Sequence, residues 1–268
     1  MIFDFNCLIC FNDKVYYFLL LTMFDILFAR TFIIIGVMLL ITAFASYMNK
    51  NANTKKTGWL PIVFSFILLF AVQIFAESYP INLVLVWLFA FCIWWMITSW
   101  IKALWDNFKT KKFLKQRKIV LKKWDTLTEE QLSDLEKYLI SNRSNDEWNK
   151  IISQAMLSTA LAVFATSLLV FTSSINFSFL WIFLFIALII LIIMSLLNIF
   201  LFKSKIFSLV KAYFWVIIFT LYLIYDFNTL EKMAWDESWA TAINLAMNIY
   251  LDIINLFLYL LEILWDSN

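Results

Sequence analysis

Long, uninterrupted apolar runs dominate the chain and predict membrane-spanning helices. A helix needs about 20 mostly apolar residues to cross the hydrocarbon core of a bilayer, and lipid cannot satisfy the hydrogen bonds of an open backbone. Seven such runs lie at 31–48, 59–76, 80–101, 154–172, 177–202, 206–227 and 241–264. The predicted fold is therefore an all-α membrane protein, a seven-transmembrane-helix bundle.

The segments between these runs divide the chain into four predicted regions. The apolar stretch 14–29 is interrupted by Asp25, which favours a helix lying in the membrane interface; if it spans instead, the bundle has eight helices. The predicted regions are an N-terminal interfacial segment (1–30), transmembrane helices 1–3 (31–101), a charged cytoplasmic helical insertion (102–153) and transmembrane helices 4–7 (154–268).

Composition supports a membrane location and argues against an enzyme. Hydrophobic residues make up 63% of the chain, compared with roughly 45–50% in soluble domains. Histidine is absent, and neither a G-x-S-x-G motif nor a P-loop occurs. Cys7 and Cys10 form a lone C-x-x-C, which we interpret as small apolar residues rather than a redox or metal pair. No resident cofactor and no nucleic-acid partner are predicted.

Basic residues are concentrated on one side of the predicted bundle. Of the 21 Lys and Arg residues, 18 lie in loops 49–58, 102–153 and 203–205 or at the start of span 206–227. The other side has Lys14, Arg30 and Lys232. The positive-inside rule therefore places the N-terminus outside and the C-terminus in the cytoplasm.

The insertion 102–153 changes charge along its length. Its first half is strongly basic and its second half strongly acidic. Thr128 followed by Gln131 forms a capping box that predicts a helix ending at Ile140. We expect a basic continuation of the third span to fold back on this acidic helix. The hairpin would either bind a partner or anionic lipid headgroups, or be a solvated pair of helices whose charges neutralise each other; the second interpretation is favoured.

Two carboxylates inside predicted spans are the main candidates for function, because an ionisable residue in the membrane is costly. Asp226 lies near the end of the sixth span and Asp252 in the middle of the seventh. Each belongs to a polar stripe at helical spacing. The stripe of the seventh span is Asn244, Asn248, Asp252, Asn255 and Tyr259, and that of the sixth is Tyr222, Asp226 and Thr229. We expect the two stripes to face each other, whereas Glu77 and Glu262, near membrane edges, are expected to be solvated.

Two carboxylates close together in a low dielectric cannot both ionise cheaply, so Asp226 and Asp252 would share a proton and titrate as a unit. Protonated, the pair would be a closed, hydrogen-bonded latch. Doubly ionised, it would repel itself and offer oxygen ligands to a cation such as Ca²⁺. The alternative is that each aspartate hydrogen-bonds separately and only joins helices.

An intramembrane aspartyl protease would also place one aspartate on each of two spans. That class of enzyme has a Gly-x-Gly before its second aspartate. Here the residues before Asp252 are Asn248, Ile249, Tyr250 and Leu251. The protease hypothesis is therefore disfavoured.

The C-terminal third contains two motifs around the aspartates, Tyr225-Asp226-Phe227-Asn228 and Tyr250-Leu251-Asp252-Ile253-Ile254-Asn255-Leu256-Phe257. Through these motifs it resembles the transmembrane BAX inhibitor motif family, a Bax-inhibitor-like group with many bacterial members. Arg30-Thr31-Phe32 and the run 177–200 are similar to the family's first and fifth spans. Some members carry an arginine near the end of the second span that locks the aspartate pair; residues 75–80 contain no basic residue.

The resemblance implies a seven-helix fold and a pH-sensitive Ca²⁺ leak in which Asp226 and Asp252 share the proton and contact the ion. It also implies a second possible role, modulation of a membrane protease or another protein partner, which we assign to loop 102–153. A multi-pass protein of the bacterial plasma membrane is expected, with the lipid bilayer, protons and Ca²⁺ as its partners.

Overall fold

The computed structural model describes residues 26–48, 60–119, 127–140, 145–202 and 205–266. Every regular element in these ranges is helical. The α-helices are α1 (Ile26–Met48), α2 (Leu60–Ile74), α3 (Ile81–Gln116), α4 (Glu129–Ile140), α5 (Asn145–Thr172), α6 (Leu180–Leu197), α7 (Lys205–Lys232) and α8 (Trp239–Asp266). A 3-10 turn at Phe177–Phe179 precedes α6, and a π-helical turn at Asn198–Phe202 follows it. Cys7, Cys10 and Lys14 lie outside the described residues.

Six of the helices, α1, α3, α5, α6, α7 and α8, are long and apolar enough to cross a membrane. Helix α2 has 15 residues and so extends about 22 Å, less than the roughly 30 Å of a hydrocarbon core. The chain is thus a multi-pass helical membrane protein, and the count of seven spans stays a prediction. Helix α1 begins at Ile26, so residues 26–30, expected at the interface, belong to the first spanning helix.

Helix α8 occupies the centre of the bundle. It packs against α7, α1 and α5, and more lightly against α3, while α2 pairs with α3 and α6 packs on α7. Of the α8 side chains that the structure describes, Asn248 is the one classed as exposed. A helix enclosed on nearly all sides must satisfy its polar groups within the protein, which makes α8 the natural place for a buried polar site.

Successive spanning helices alternate in direction, which gives the bundle two distinct ends. We call the end formed by turns 75–80, 173–176 and 233–238 the turn end. The opposite end, where α4 lies, α7 begins and α8 ends, is called the hairpin end. The insertion and the C-terminal end of α8 thus lie at the same end of the bundle, as the charge distribution required. Which end faces the cytoplasm stays a prediction.

Side chains from distant helices tie the turn end together. The Arg30 guanidinium lies 4.4 Å from the ring centroid of Trp239 and donates to the Glu237 carbonyl oxygen. Tyr79 stacks on the same indole ring, with 4.9 Å between centroids. These contacts join the start of α1, the α2–α3 turn and the start of α8, and so restrain the turn end of the bundle.

At the hairpin end the helical hairpin forms largely as expected. The Thr128 hydroxyl accepts from the Gln131 N–H at 3.3 Å, and the Gln131 side chain accepts from the Thr128 N–H at 3.1 Å. The predicted capping box is therefore confirmed, and α4 ends at Ile140. Helix α3 runs on to Gln116, as the continuous basic segment suggested.

Helix α4 packs on the basic extension of α3. Arg117 forms a 3.0 Å ion pair with Asp134, and Phe113 contacts Tyr138 with 5.5 Å between ring centroids. The buried Lys109 donates to the Leu139 carbonyl oxygen, where the negative end of the α4 dipole lies. Burial lowers the pKa of Lys109, and the nearby Asp106 opposes that shift.

Candidate functional site: a carboxylate pair between the last two helices

Asp226 of α7 and Asp252 of α8 lie against each other in the core of the bundle. Their side chains are 5% and 7% exposed and lie close enough together to interact with each other directly. The Asp252 Oδ2 atom is buried and has no hydrogen-bond partner among the described residues. Neither aspartate forms an ion pair with a described basic residue. The interaction is therefore carboxyl to carboxyl, with no cation beside it.

The α7–α8 connection brings the two aspartates together. Helices α7 and α8 form an antiparallel pair joined by the short segment 233–238. Asp236 accepts from the Ser238 N–H at 2.9 Å and from the Thr241 hydroxyl, which fixes the start of α8. These hydrogen bonds, from Thr241 first and then from Ser238, hold the pKa of Asp236 below its usual value.

Three other residues of the predicted stripes lie close to the pair. The Tyr222 phenol is near enough to both aspartates to interact with their charges. Thr229 donates to the Tyr225 carbonyl oxygen at 2.9 Å, and the Asn255 side chain donates to the Leu251 carbonyl oxygen at 2.9 Å. Thr229 and Asn255 thus bond within their own helices, and Tyr222 is the third polar side chain of the stripes near the pair.

The part of the α8 stripe nearest the turn end faces α2, although it was expected to face α7. The Asn244 side chain accepts from Gln73 of α2 at 3.1 Å, and Asn248 is exposed. Residues four apart on a helix are offset by about 40°, so a stripe that faces α7 at Asp252 has turned away from it two steps earlier. The expectation that the whole stripe faces α7 is therefore wrong for Asn244.

Several polar contacts of α7 and α8 away from the pair were not anticipated. Tyr250 bonds to Thr42, Asn228 receives the Phe177 N–H at 3.0 Å, and Glu262 accepts from the Ser208 hydroxyl at 3.1 Å. Glu262 was expected to be solvated, but it is half-buried between α7 and α8. Its place three residues after Tyr259 continues the polar spacing of α8 and could have revealed it.

The site has few groups with which to hold a metal ion. Among the described residues, no cluster of three or more Asp, Glu, Cys or His side chains is arranged to bind a metal. Asp226 and Asp252 are the two carboxylates that could contact Ca²⁺, an ion that takes six to eight oxygen ligands. Two carboxylates supply fewer oxygens than this. The site therefore suits a transient ion that keeps part of its water shell better than a permanently bound ion.

The fold and this site define a multi-pass helical membrane protein with a buried carboxyl pair between its last two helices. Residues 140–268, which contain both aspartates, match the family model described as "Inhibitor of apoptosis-promoting Bax1". Over these residues the chain is similar to this Bax-inhibitor-like family, and the family resemblance predicted from sequence is confirmed.

Individual relatives agree with this assignment. The Golgi anti-apoptotic protein of Vaccinia virus (strain Lister) is 38% identical over 118 residues, which cover 44% of this chain and 48% of that protein. Protein LIFEGUARD 1 of Arabidopsis thaliana is 38% identical over 119 residues, 43% of this chain and 49% of the relative. The chain thus spans about half the length of these relatives. An uncharacterized protein of Campylobacter jejuni is 28% identical over 234 residues, covering 87% and 81% of the two chains.

Proposed function

We propose that this protein is a pH-sensitive cation leak channel, with Ca²⁺ as the permeant ion and Asp226 and Asp252 as the proton sensor. The observation that carries the proposal is the close approach of two buried carboxyl groups on adjacent helices, with no ion pair to a described basic residue. Two carboxylates have no proton to donate, so a hydrogen bond between these two side chains would require that at least one of the two acids be protonated.

Loss of the shared proton would change the force between α7 and α8. With both acids ionised, two like charges would face each other in a low dielectric with no basic residue between them. The repulsion would separate the helices at this level, and the oxygens released from the hydrogen bond would become ligands for a passing cation. The same two side chains therefore serve as latch and as ion contact.

A polar route toward the pair supports this proposal. Asn248 is exposed one helical turn from Asp252, and the Asn244–Gln73 contact lies one turn further toward the turn end. A hydrated cation moving along the bundle needs such groups to replace its water. The short helix α2 leaves this side of α8 less covered than the sides facing α1 and α5.

The test is Ca²⁺ flux into liposomes containing the purified chain, measured with an internal dye over a series of pH values. We expect wild-type flux to rise with pH and both Asp226→Asn and Asp252→Asn to remove that dependence. Glu77→Gln makes the same charge change at an exposed site on the α2–α3 turn and should behave as wild type. If both aspartate variants keep wild-type flux and pH dependence, the proposal is wrong.

A second candidate function is protein interaction through the insertion 102–153, with a membrane protease as the class of partner. The supporting observation is that α4 is held firmly on α3 while its acids Glu129, Glu130 and Glu136 face outward and exposed. Changing these three acids to lysine should abolish co-purification with the protease and spare Ca²⁺ flux. Co-purification that survives both this change and deletion of the hairpin would exclude the role.

We also propose that the hairpin end and the C-terminus face the cytoplasm of a bacterial plasma membrane. Support comes from the concentration of Lys and Arg at that end. Reporter fusions after Asp266 and within the 173–176 turn should report opposite sides of the membrane. Cytoplasmic signal from the turn fusion would reverse the orientation.

A further inference from the structure

Three aromatic rings close the α7–α8 interface on the hairpin side of the aspartate pair. Trp215 and Phe219 of α7 stack with 5.3 Å between centroids. Tyr259 of α8 lies 5.3 Å from Trp215 and 6.0 Å from Phe219, with nearly parallel rings. Trp215 and Phe219 are 6% and 8% exposed. We call these three residues the aromatic layer.

The aromatic layer lies on the same line as the aspartates. On α7 the residues Ser208, Trp215, Phe219, Tyr222 and Asp226 recur at helical spacing, so they share one face. On α8, Tyr259 lies seven residues after Asp252 and so shares its face, and Glu262 lies three residues further on and contacts Ser208 of α7. Moving from the pair toward the hairpin end, the interface therefore presents carboxyls first, then rings, and then the hydrogen bond from Ser208 to Glu262.

The carboxylates of Asp252 and Glu262 therefore lie on opposite sides of the aromatic layer. Asp252 and Glu262 are ten residues apart, which is about 15 Å along the axis of α8. The Tyr259 phenol is close enough to Glu262 to interact with its charge. A cation that leaves Asp252 toward the hairpin end would meet the rings before it reached Glu262.

We propose that Trp215, Phe219 and Tyr259 form the barrier that closes the cation path, and that Glu262 with Ser208 receives the ion beyond it. The inference rests on the proposed leak function and adds the location of its closed gate. Tightly stacked rings exclude water, and an apolar constriction stops ions by dewetting.

The packing of the layer suits a barrier that opens. Trp215 Nε1 is buried without a hydrogen-bond partner among the described residues, although a buried indole usually finds one. Stacking and enclosure therefore hold the indole in place, with no directional bond to break. Phe219 and Tyr222 are also in contact, with 6.2 Å between their centroids, so a displacement of α7 at the pair reaches the layer directly.

The first experiment maps water access in a cysteine-free chain reconstituted into vesicles, with a charged, membrane-impermeant thiol reagent on both sides. Ser208→Cys lies on the hairpin side of the layer and should react. Asn255→Cys, between the layer and the pair, should react at least tenfold more slowly. Equal reaction rates at the two positions would overturn the proposal, and this comparison requires no ring to be removed.

The second experiment removes rings and measures Ca²⁺ flux at the pH where wild-type flux is lowest. Tyr259→Ala and Phe219→Ala should raise that flux at least tenfold and make Asn255→Cys reactive, whereas Tyr259→Phe, which keeps the ring, should not. Phe214→Ala removes an exposed ring of α7 and is the matched control. Folded alanine variants without added flux or labelling would refute the barrier.

The labelling and flux experiments together distinguish failure of this inference from failure of the proposed function. If the labelling pattern is as expected but neither wild type nor any variant passes Ca²⁺, the aromatic layer is a real water barrier and the leak function is wrong. If wild type shows pH-dependent flux but Ser208→Cys and Asn255→Cys label alike, the leak function stands and the barrier lies elsewhere.

Discussion

The hydroxyl groups of Thr42 in α1 and Tyr250 in α8 lie 2.8 Å apart. Thr42 donates its single hydroxyl proton to the Met38 carbonyl oxygen at 2.8 Å, so Tyr250 must be the donor in the contact between the two hydroxyls. Tyr250 is fully buried and lies two residues before Asp252, about 200° around the helix. Helix α8 is thus anchored to α1 on the side away from the pair, and separation at the pair should move mainly α7.

Loss of the Tyr250 hydroxyl should weaken this anchor. We expect Tyr250→Phe to lower the free energy of unfolding by about 0.6–1.5 kcal/mol, the range for a polar contact between membrane helices. Thr42→Val removes the other partner, and the double variant should cost less than the two single variants together. Denaturant titration followed by tryptophan fluorescence would measure this; strictly additive costs would show that the hydroxyls do not interact.

Asn248 should matter for transport more than for stability, because it is exposed on an otherwise enclosed helix. Asn248→Leu removes one polar contact for the ion, worth about 1 kcal/mol, and should reduce Ca²⁺ flux by roughly fivefold to tenfold. Asn248→Ser keeps a polar group and should retain most of the flux. Equal flux in the leucine and serine variants would remove Asn248 from the route.

Asn228 should stabilise the entry into α6. Its side-chain oxygen accepts from the Phe177 N–H at 3.0 Å, and its amide contacts the Ser178 hydroxyl at 3.4 Å. Asn228→Ala should cost about 1 kcal/mol, because the half-buried Phe177 N–H would lose its partner. Ser178→Ala removes the longer contact and an exposed hydrogen bond from Lys232, and should cost less. A larger loss for Ser178→Ala, in unfolding measurements, would contradict this ranking.

The capping box should control the local order of α4 without affecting the bundle. Thr128→Ala removes the acceptor for the Gln131 N–H and should destabilise α4 by about 1 kcal/mol. Backbone amides of 129–140 should then exchange roughly fivefold faster, with Ca²⁺ flux unchanged. Ser133→Ala, at an exposed position in the same helix, is the control; faster exchange in both variants would exclude a capping effect.

Asp236 should give the α7–α8 turn a pH-dependent contribution to stability. Hydrogen bonds from Thr241 and Ser238 hold its folded-state pKa below the ordinary value, which is about 3.9. The contribution is therefore complete above that pH and is lost as the pH falls through the lower folded pKa. Asp236→Ala should lower the melting temperature at neutral pH, and the difference from wild type should shrink in acid.

A useful comparison for this turn is Asp236→Asn, which keeps an acceptor but cannot titrate in this range. The difference in melting temperature between Asp236→Asn and Asp236→Ala should stay constant with pH. The difference in melting temperature between wild type and Asp236→Asn should change with pH. If the melting temperatures of wild type and Asp236→Ala differ equally at neutral pH and in acid, the carboxylate does not stabilise the turn.

Local information in the chain was enough for the helices, the α4 capping box and the meeting of Asp226 with Asp252. Apolar run length reports a spanning helix directly, and a capping box involves residues three apart. The contact between Asp226 and Asp252 could be predicted because a carboxyl group exposed to lipid on either span is energetically costly. The same reasoning failed for Glu262, whose position near a helix end suggested water although its spacing placed it on the α7–α8 face.

Tertiary packing settled the partners of the remaining polar groups. Helical spacing tells which side chains share a face, but neighbouring helices cross at an angle, so one face meets several helices along its length. Hence Asn244 meets Gln73 of α2 while Asp252 meets α7, and Trp215 and Tyr259 stack between the two carboxylate levels. Contacts between residues far apart in the chain depend on those crossing angles, which apolar runs and spacing do not encode.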